Sequence, residues 1–300
     1  MSASISRAEF ARLLVPAINT IIGDSYEAYP EVYKQVFDVR QSDQAIEELL
    51  IISGLGLMEN ISEGGVSPSD RMRQLLSVNF AHAKYGKMLS VTQEMIDDGK
   101  AVKIVARQAK EFKKSAMETK NKVAIDILNN ATVTNLADGV PLVSISHPSS
   151  AGVQSNRLAV DADLSEASIE QAYIEMRDIR DDRGVRIQVM PKKLVVPRAL
   201  CFEVDRILES DKRYATADND ANVLKMRRII DEVVVVDHIT DADAYYFLTN
   251  VSDGLIMFER QALTIDSEPH FAADAIQFKA KMRFSVGVGD WRGVFASPGV

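Results

Sequence analysis

The chain has 300 residues, 46% hydrophobic and 26% charged, with 35 Lys and Arg against 43 Asp and Glu for a net charge of −8. That length suits one large or two smaller domains, and the composition excludes a disordered tail, a collagen or a coiled-coil rod. The acidic balance sets aside a dedicated duplex-DNA reader, and the single cysteine excludes an internal disulfide framework and any multi-cysteine zinc or iron–sulfur site.

Ser6 followed by Glu9 forms a capping box ahead of Phe10, Leu13 and Leu14, and Pro16 stops that helix near Val15. The apolar stretch 13–22 is broken by Pro16 and Asn19, so neither a signal peptide nor a membrane helix is expected. Tyr26, Tyr29, Tyr33 and Phe37 follow at spacings of three and four. They read either as a helix packed on the body or as an arm lying on a neighbouring subunit. From 46 to 92 the pattern turns to strand. Residues 49–52 are an apolar run, Leu76, Val78 and Phe80 alternate with Ser77 and Asn79, and Met88, Leu89 and Val91 continue the second arm. The turn-forming stretch 62–68, with Gly64 and Gly65, separates the two arms. One very long hairpin is predicted. A lone two-stranded hairpin is marginal in water, so it must lie on its own domain or on another subunit.

Residues 100–131 are the clearest helix. Val102, Val105, Ala106, Ala109, Phe112, Ala116, Val123 and Ile127 recur at helical spacing without Gly or Pro. At 1.5 Å per residue it would span roughly 48 Å. It carries eight cations (Lys100, Lys103, Arg107, Lys110, Lys113, Lys114, Lys120 and Lys122) against Glu111, Glu118 and Asp126, a net of +5 that leaves −13 for the rest of the chain. Such a stripe is either a solvated face or a basic ridge that meets a polyanion. For the second reading Lys103, Arg107, Lys110, Lys113 and Lys114 are the candidates.

Residues 132–163 are rich in turn formers, after which the pattern becomes mixed α/β. Asp163 and Glu166 can cap a helix running to about Asp182 and closed by Gly184. Strands are predicted at 185–189 and 194–196, a helix at 198–210, a polar loop at 211–222, and core strands at 233–236 and 245–248. The sharpest period comes last: Ile276, Phe278, Ala280, Met282, Phe284, Val286 and Val288 alternate with Gln277, Lys279, Lys281, Arg283, Ser285 and Gly287. A strand of that length exceeds the usual 5–6 residues and reaches over about 40 Å.

Chemistry is mostly missing. His82, His147, His238 and His270 are far apart, with no HExxH or CxxC pattern, so metal ligation has no local support. Asp218, Asp220 and Asn222 open like a calcium loop, but Val223 and Ile229 stand where its turn glycine and bidentate Glu belong. Gly54 and Gly56 lack the third glycine of a dinucleotide fingerprint, and Gly287 and Gly289 have no helix beyond them. Ser144, Ser146 and His147 read as turn residues, and Cys201 as an inert thiol near core positions. No catalytic, cofactor-binding or metal-binding residue is assigned.

The order of elements is arm, long hairpin, long helix, α/β domain and long C-terminal strand. It resembles the major capsid proteins of tailed bacteriophages, the Hong Kong 97-type fold, and most of all their Mu-like prophage branch. The stretches that carry the resemblance are 85–98 (Tyr85-Gly86-Lys87-Met88 onward), Ile127-Leu128-Asn129-Asn130-Ala131, Arg183-Gly184 with Pro191-Lys192-Lys193-Leu194-Val195-Val196-Pro197, and Gly289-Asp290-Trp291-Arg292-Gly293. The resemblance implies an α+β capsid fold: N-terminal arm (1–45), extended β-hairpin loop (46–92), peripheral domain with a long spine helix and long antiparallel strands (93–150 and 260–300), and α/β axial domain (151–259). It implies a shell protein and no enzyme, assembling with itself as hexamers and pentamers into an icosahedral shell around double-stranded DNA that it contacts without sequence specificity. Gly64, Gly65, Leu76, Val78 and Phe80 would form the intersubunit hairpin, and the 103–114 cations an inward-facing surface. The shell would be part of the virion, assembled in the host bacterial cytoplasm. A separate scaffold is expected, because the chain begins almost directly with its arm. A portal, a decoration protein and no membrane complete the expected partners. An encapsulin-like nanocompartment shares the fold, and a soluble α/β enzyme with a non-local site is the reading from another class.

Overall fold

A computed structural model describes residues 29–299 apart from 59, 68, 93, 96–100, 151, 213–219 and 271–273, with the backbone alone over 101–106. The capping box at Ser6 and the residues near Tyr26 lie outside the described residues, as do Asp218 and the end of the stretch beginning at Tyr85.

The alternation read at the C-terminus becomes strand β9 (Ala275–Val288), which buries Ile276, Phe278, Ala280, Met282 and Phe284 on one face. It pairs antiparallel along its whole length with β8 (Leu255–His270), from Leu255 opposite Val288 to His270 opposite Ala275. The sequence pattern did not reveal β8. Register shifts between Glu259 and Gln261 and between Gln261 and Thr264 reset its two-residue period, as β-bulges do. β1 (Asp38–Gln41) lies parallel on the other edge of β8, and β4 (Ala83–Thr92) lies antiparallel on β9, giving the order β1-β8-β9-β4. The stretch 83–92 is therefore body sheet and not the second arm of the hairpin, which ends at Ala81.

Between the short helix α1 (Val32–Val36) and the second sheet runs α2 (Ala101–Asn129), about 43 Å long at the standard rise. Its first half lays Ala109 and Phe112 on Val91, Ile265, Ile276, Phe278 and Ala280 of the sheet. Its second half sends Ala116, Met117, Ala124, Ile125 and Leu128 into the main core shared with the second sheet. An apolar stripe at i, i+3, i+4 explains both contacts.

The second sheet has the order β10-β7-β5-β6, formed by β5 (Pro191–Pro197), β6 (Glu232–Val236), β7 (Tyr245–Thr249) and β10 (Val294–Ser297). β5 runs parallel to β6 and antiparallel to β7. Helices α3 (Glu166–Asp178), α4 (Cys201–Leu208) and α5 (Val223–Arg227) accompany it. α3 starts two residues later than the Asp163 reading: Ser165 accepts from the Ser168 N–H, and the Ser168 hydroxyl accepts from the Ser165 N–H. It also ends at Asp178. The strand expected at 185–189 is a tight excursion instead, closed by one bridge between Arg180 and Arg186 and turned at Gly184 with φ +82. Asn222, buried, caps α5 through the Leu224 and Lys225 amides and donates to Ile207 O and Ser210 O, a structural duty that occupies the residue of the apparent calcium loop. Because a capping serine stabilises its helix by about 1 kcal/mol, Ser165→Ala should lower unfolding free energy by about that amount in urea titration, without changing the denaturant slope.

Candidate functional site

The hairpin is made of β2 (Ile46–Ile52) and β3 (Gln74–Ala81), paired from Ile46–Ala81 outward to Ile52–Gln74. Side chains directly opposite share a face. On the inner face Leu49, Val78 and Phe80 meet Ile256 and Phe258 of β8, with the Phe80 and Phe258 rings 5.0 Å apart and edge-on. Gly287 makes this possible: a Cβ there would lie 2.6 Å from the Phe80 ring. Phe80 is thus buried in its own subunit, and with the half-buried Val78 it anchors the hairpin base. Leu76, half-buried, borders an open cavity also lined by Ala137, Asp182 and Trp291.

The outer face is different. Ile46, Leu50 and Ile52 are exposed, and beyond them the loop 53–73 exposes Leu55, Leu57, Met58, Ile61, Val66 and Met72. Gly64, at φ +79, forms its turn with Gly65, whose N–H donates to Ser62 O at 2.8 Å. So many exposed large apolar side chains on one element mark an interaction site. The loop is tethered to its own body by Arg183, which pairs with Asp70 at 2.7 Å and donates to Arg71 O at 2.9 Å. Asp70 also accepts from the Gly56 N–H at 2.9 Å. That bond first, and then the Arg71 amide and Arg183, hold its carboxyl below the usual range.

The cations of α2 do not form one solvated stripe. Arg107, Lys110 and Lys114 are exposed, but Lys113 is 2% and Lys120 3% exposed. Burial pushes the Lys113 amine down, against the pull of Glu31. Lys120 pairs with Glu259 of β8 at 2.5 Å and sits 5.5 Å from the Tyr33 ring. Next to it Asn121 accepts from the Tyr33 N–H at 3.1 Å and donates to Pro30 O at 3.2 Å. These polar positions hold the 30–33 segment on α2. The Lys103 side chain is outside the described residues.

A cationic surface that sequence reasoning missed lies on the face of the first sheet away from α2. Register places Lys84 opposite Arg283, Gly86 opposite Lys281 and Met88 opposite Lys279. Lys279 is exposed, and Lys281 pairs with Asp266 of β8 at 2.5 Å. The alternation already put Lys279, Lys281 and Arg283 on one face, but Lys84 joins them only through the β4–β9 register.

No reaction centre emerges among the described residues, and no group of three or more His, Cys, Asp or Glu there could hold a metal ion. His147 is fully buried, with Nδ1 2.7 Å from Asp138 and Nε2 3.2 Å from both Leu142 O and Asn156 Oδ1, and its ring stacks on Trp291 at 4.3 Å. Ser144 and Ser146 bond each other at 3.1 Å. This is packing of a buried junction, with no nucleophile on the imidazole. No helix among the described residues is long and apolar enough to cross a membrane.

The model of a family described as "Phage capsid protein" matches residues 76–297. No curated protein matches. Among solved structures, the fold is similar to the capsid of an empty GTA particle, at 14% identity over 90% of each chain with TM-score 0.58. It is also similar to the procapsid of bacteriophage JBD30, at 16% identity over 98% of this chain and 76% of that one with TM-score 0.54. A virus-like particle from Pyrococcus furiosus matches at 12% identity over 93% and 97%, with TM-score 0.54.

Proposed function

Because this chain belongs to the phage capsid protein family, and is therefore a structural shell protein that assembles with itself rather than an enzyme, we propose that it is the major head subunit of a tailed phage or prophage. In this reading it forms hexamers and pentamers, closes an icosahedral shell around double-stranded DNA, assembles in the host bacterial cytoplasm with a separate scaffold and portal, and takes a decoration protein. The Mu-like branch is part of the same reading, supported by the stretches from Tyr85 and from Gly289. The observation that carries it is the hairpin, anchored at its base by Phe80 and exposing Ile46, Leu50, Ile52 and the large apolar side chains of its loop. Arm (1–45), extended loop (46–92), peripheral domain (93–150 and 260–300) and axial domain (151–259) are its proposed parts, with 38–41 and 83–92 contributing strands to the peripheral sheet.

The hairpin of one copy fits the open sheet face of another by charge. Residues 46–73 carry Glu47, Glu48, Glu59, Glu63 and Asp70 against Arg71 and Arg73, and the open face carries Lys84, Lys279, Lys281 and Arg283. Opposite charges steer association and fix register more than they add affinity.

Electron microscopy of the purified chain, alone and with its scaffold, tests the reading: closed shells or ring-shaped hexamers support it, and a monomer or dimer under all assembly conditions overturns it. Nuclease-protected DNA inside the particles distinguishes a head from a cargo compartment. A second expectation concerns Arg107, Lys110 and Lys114, three exposed cations in the first half of α2. Reversing all three to Glu should leave folding intact and weaken DNA or scaffold retention, with a salt dependence shallower by up to about three phosphate contacts. Unchanged retention across a salt titration would show that this face meets no polyanion.

A further inference from the structure

The hairpin joins its body through very short links. His82 alone separates β3 from β4, and residues 42–45 separate β1 from β2. The half-buried His82 ring bridges both links and the sheet: Nε2 lies 2.9 Å from Ser42 Oγ, and Nδ1 lies 3.0 Å from Ser285 Oγ of β9. Both serines are buried. The Ser42 hydroxyl donates to Glu47 Oε1 of β2 at 2.6 Å, in preference to the Gln44 carbonyl at 3.4 Å, and accepts from the Gln44 N–H. With its single proton directed to Glu47, Ser42 accepts from Nε2–H. Nδ1 is then the bare nitrogen and takes the Ser285 hydroxyl proton. The relay from Ser285 through His82 and Ser42 to Glu47 runs in one direction for a neutral imidazole, and a charged ring would turn Ser285 from donor to acceptor.

The charged groups facing the ring come from three strands: Glu47 on β2, Arg260 on β8 and Arg283 on β9. Burial and the two arginines oppose a positive ring, while Glu47 and the Gln44 carbonyl favour one. Burial is the largest influence, and His82 is held below the ordinary histidine value of 6.5. Arg260 is itself committed to the hinge, donating to Ser42 O at 3.1 Å and pairing with Asp43 at 3.4 Å.

We propose that His82 is a pH-sensitive pin in the hairpin hinge: neutral, it clasps both links to β9; charged, it reverses the Ser285 bond, puts a third cation beside Arg260 and Arg283 in a partly buried site, and frees the hairpin to swing. The sign follows from linkage. A histidine whose folded state favours the neutral form contributes its clasp above the ordinary value and loses it as pH falls below that value. The pin is a property of a single chain. Its failure would leave the shell reading standing, and failure of the shell reading would leave the pin.

Hydrogen exchange on the full-length chain, held below its assembly concentration, reads it between about pH 7.5 and 5, a window in which ordinary carboxylates stay ionised. Protection factors over 38–46 and 80–86 should fall with pH by up to about tenfold per unit, the limit for one proton. In His82→Asn they should stay flat. In Arg283→Gln, with one opposing cation gone, the clasped ring resists its charge less, so the fall should begin at the same pH, level off sooner and leave a smaller total loss. Flat protection in the wild-type chain, or the same fall in His82→Asn, overturns the proposal. If His82→Asn is loosened at every pH, Arg283→Gln decides: a loss at pH 5 as large as in the wild-type chain overturns it, and a smaller one supports it.

Discussion

Excising residues 62–70 should yield a chain that folds and no longer forms shells. Among the described residues the deletion removes only exposed ones, with the Gly64 turn and the Asp70–Arg183 tether. Leu49, Val78 and Phe80 stay in place on Ile256 and Phe258. Exposed ion pairs contribute at most about 1 kcal/mol, so the melting transition should hardly change. Assembly should respond much more strongly. Val66 alone, buried on a neighbour, would stabilise each contact by about 1.5 kcal/mol, a factor of about ten. A loop nine residues shorter also draws Leu57, Met58 and Ile61 back toward the body, and every contact of a closed shell repeats that loss. Sedimentation velocity should show the particle peak replaced by slow species, with the circular dichroism spectrum unchanged. Normal particles would mean the hairpin tip is not the intersubunit element.

Asn156→Leu should be the most destabilising single substitution of similar volume in the junction between the sheets. The buried Asn156 amide donates to Leu142 O, Trp291 O and Val294 O at 2.6, 3.2 and 2.9 Å and accepts from the Ser144 N–H at 2.9 Å. One side chain therefore joins 142–144, the turn at Trp291 and the start of β10. Leucine fills the space but supplies no partner to any of these four backbone groups. Each buried polar group left unsatisfied costs about 1–3 kcal/mol; Leu142 O keeps the His147 Nε2 contact at 3.2 Å, so the other three sum to about 3–9 kcal/mol. That is a large share of an ordinary domain's 5–15 kcal/mol. Urea unfolding should show a midpoint reduced by a third or more, or no folded chain at all. A midpoint within experimental scatter of the parent would show that water or relaxed neighbours replace the amide.

Long, uninterrupted periods were legible. The α2 stripe and the β9 alternation each run without a break, so their ends were placed within about two residues. What escaped had its period interrupted or depended on partners distant in sequence. β8 hides behind its two bulges, and the assignment of 83–92 to the hairpin failed because strand chemistry does not say which strand is the partner. Both sequence readings of Lys113, solvated face or basic ridge, need it exposed, because a lysine among lysines looks exposed. Only the fold brings Glu31 near it and closes water out. Gly64 and Gly65 were readable as a turn from their type, whereas Phe80 needed the flat surface at Gly287 to show that it serves its own subunit.

The first sheet has a consequence for when the chain can fold. β1 and the strand it rests on are 218 residues apart at Gln41 and Glu259. β4 waits for β9, and β10 must reach β7 before the Asn156 knot can close. Pairings this distant in sequence make folding slow and leave apolar segments uncovered meanwhile. On the ribosome, Leu55 to Met72 emerges long before the strands that support its base. A nascent chain therefore carries its stickiest loop with no body to aim it. The last 50 residues act as a timer: only when they arrive does the loop gain a fixed direction, and a half-made subunit has no geometry with which to join a lattice.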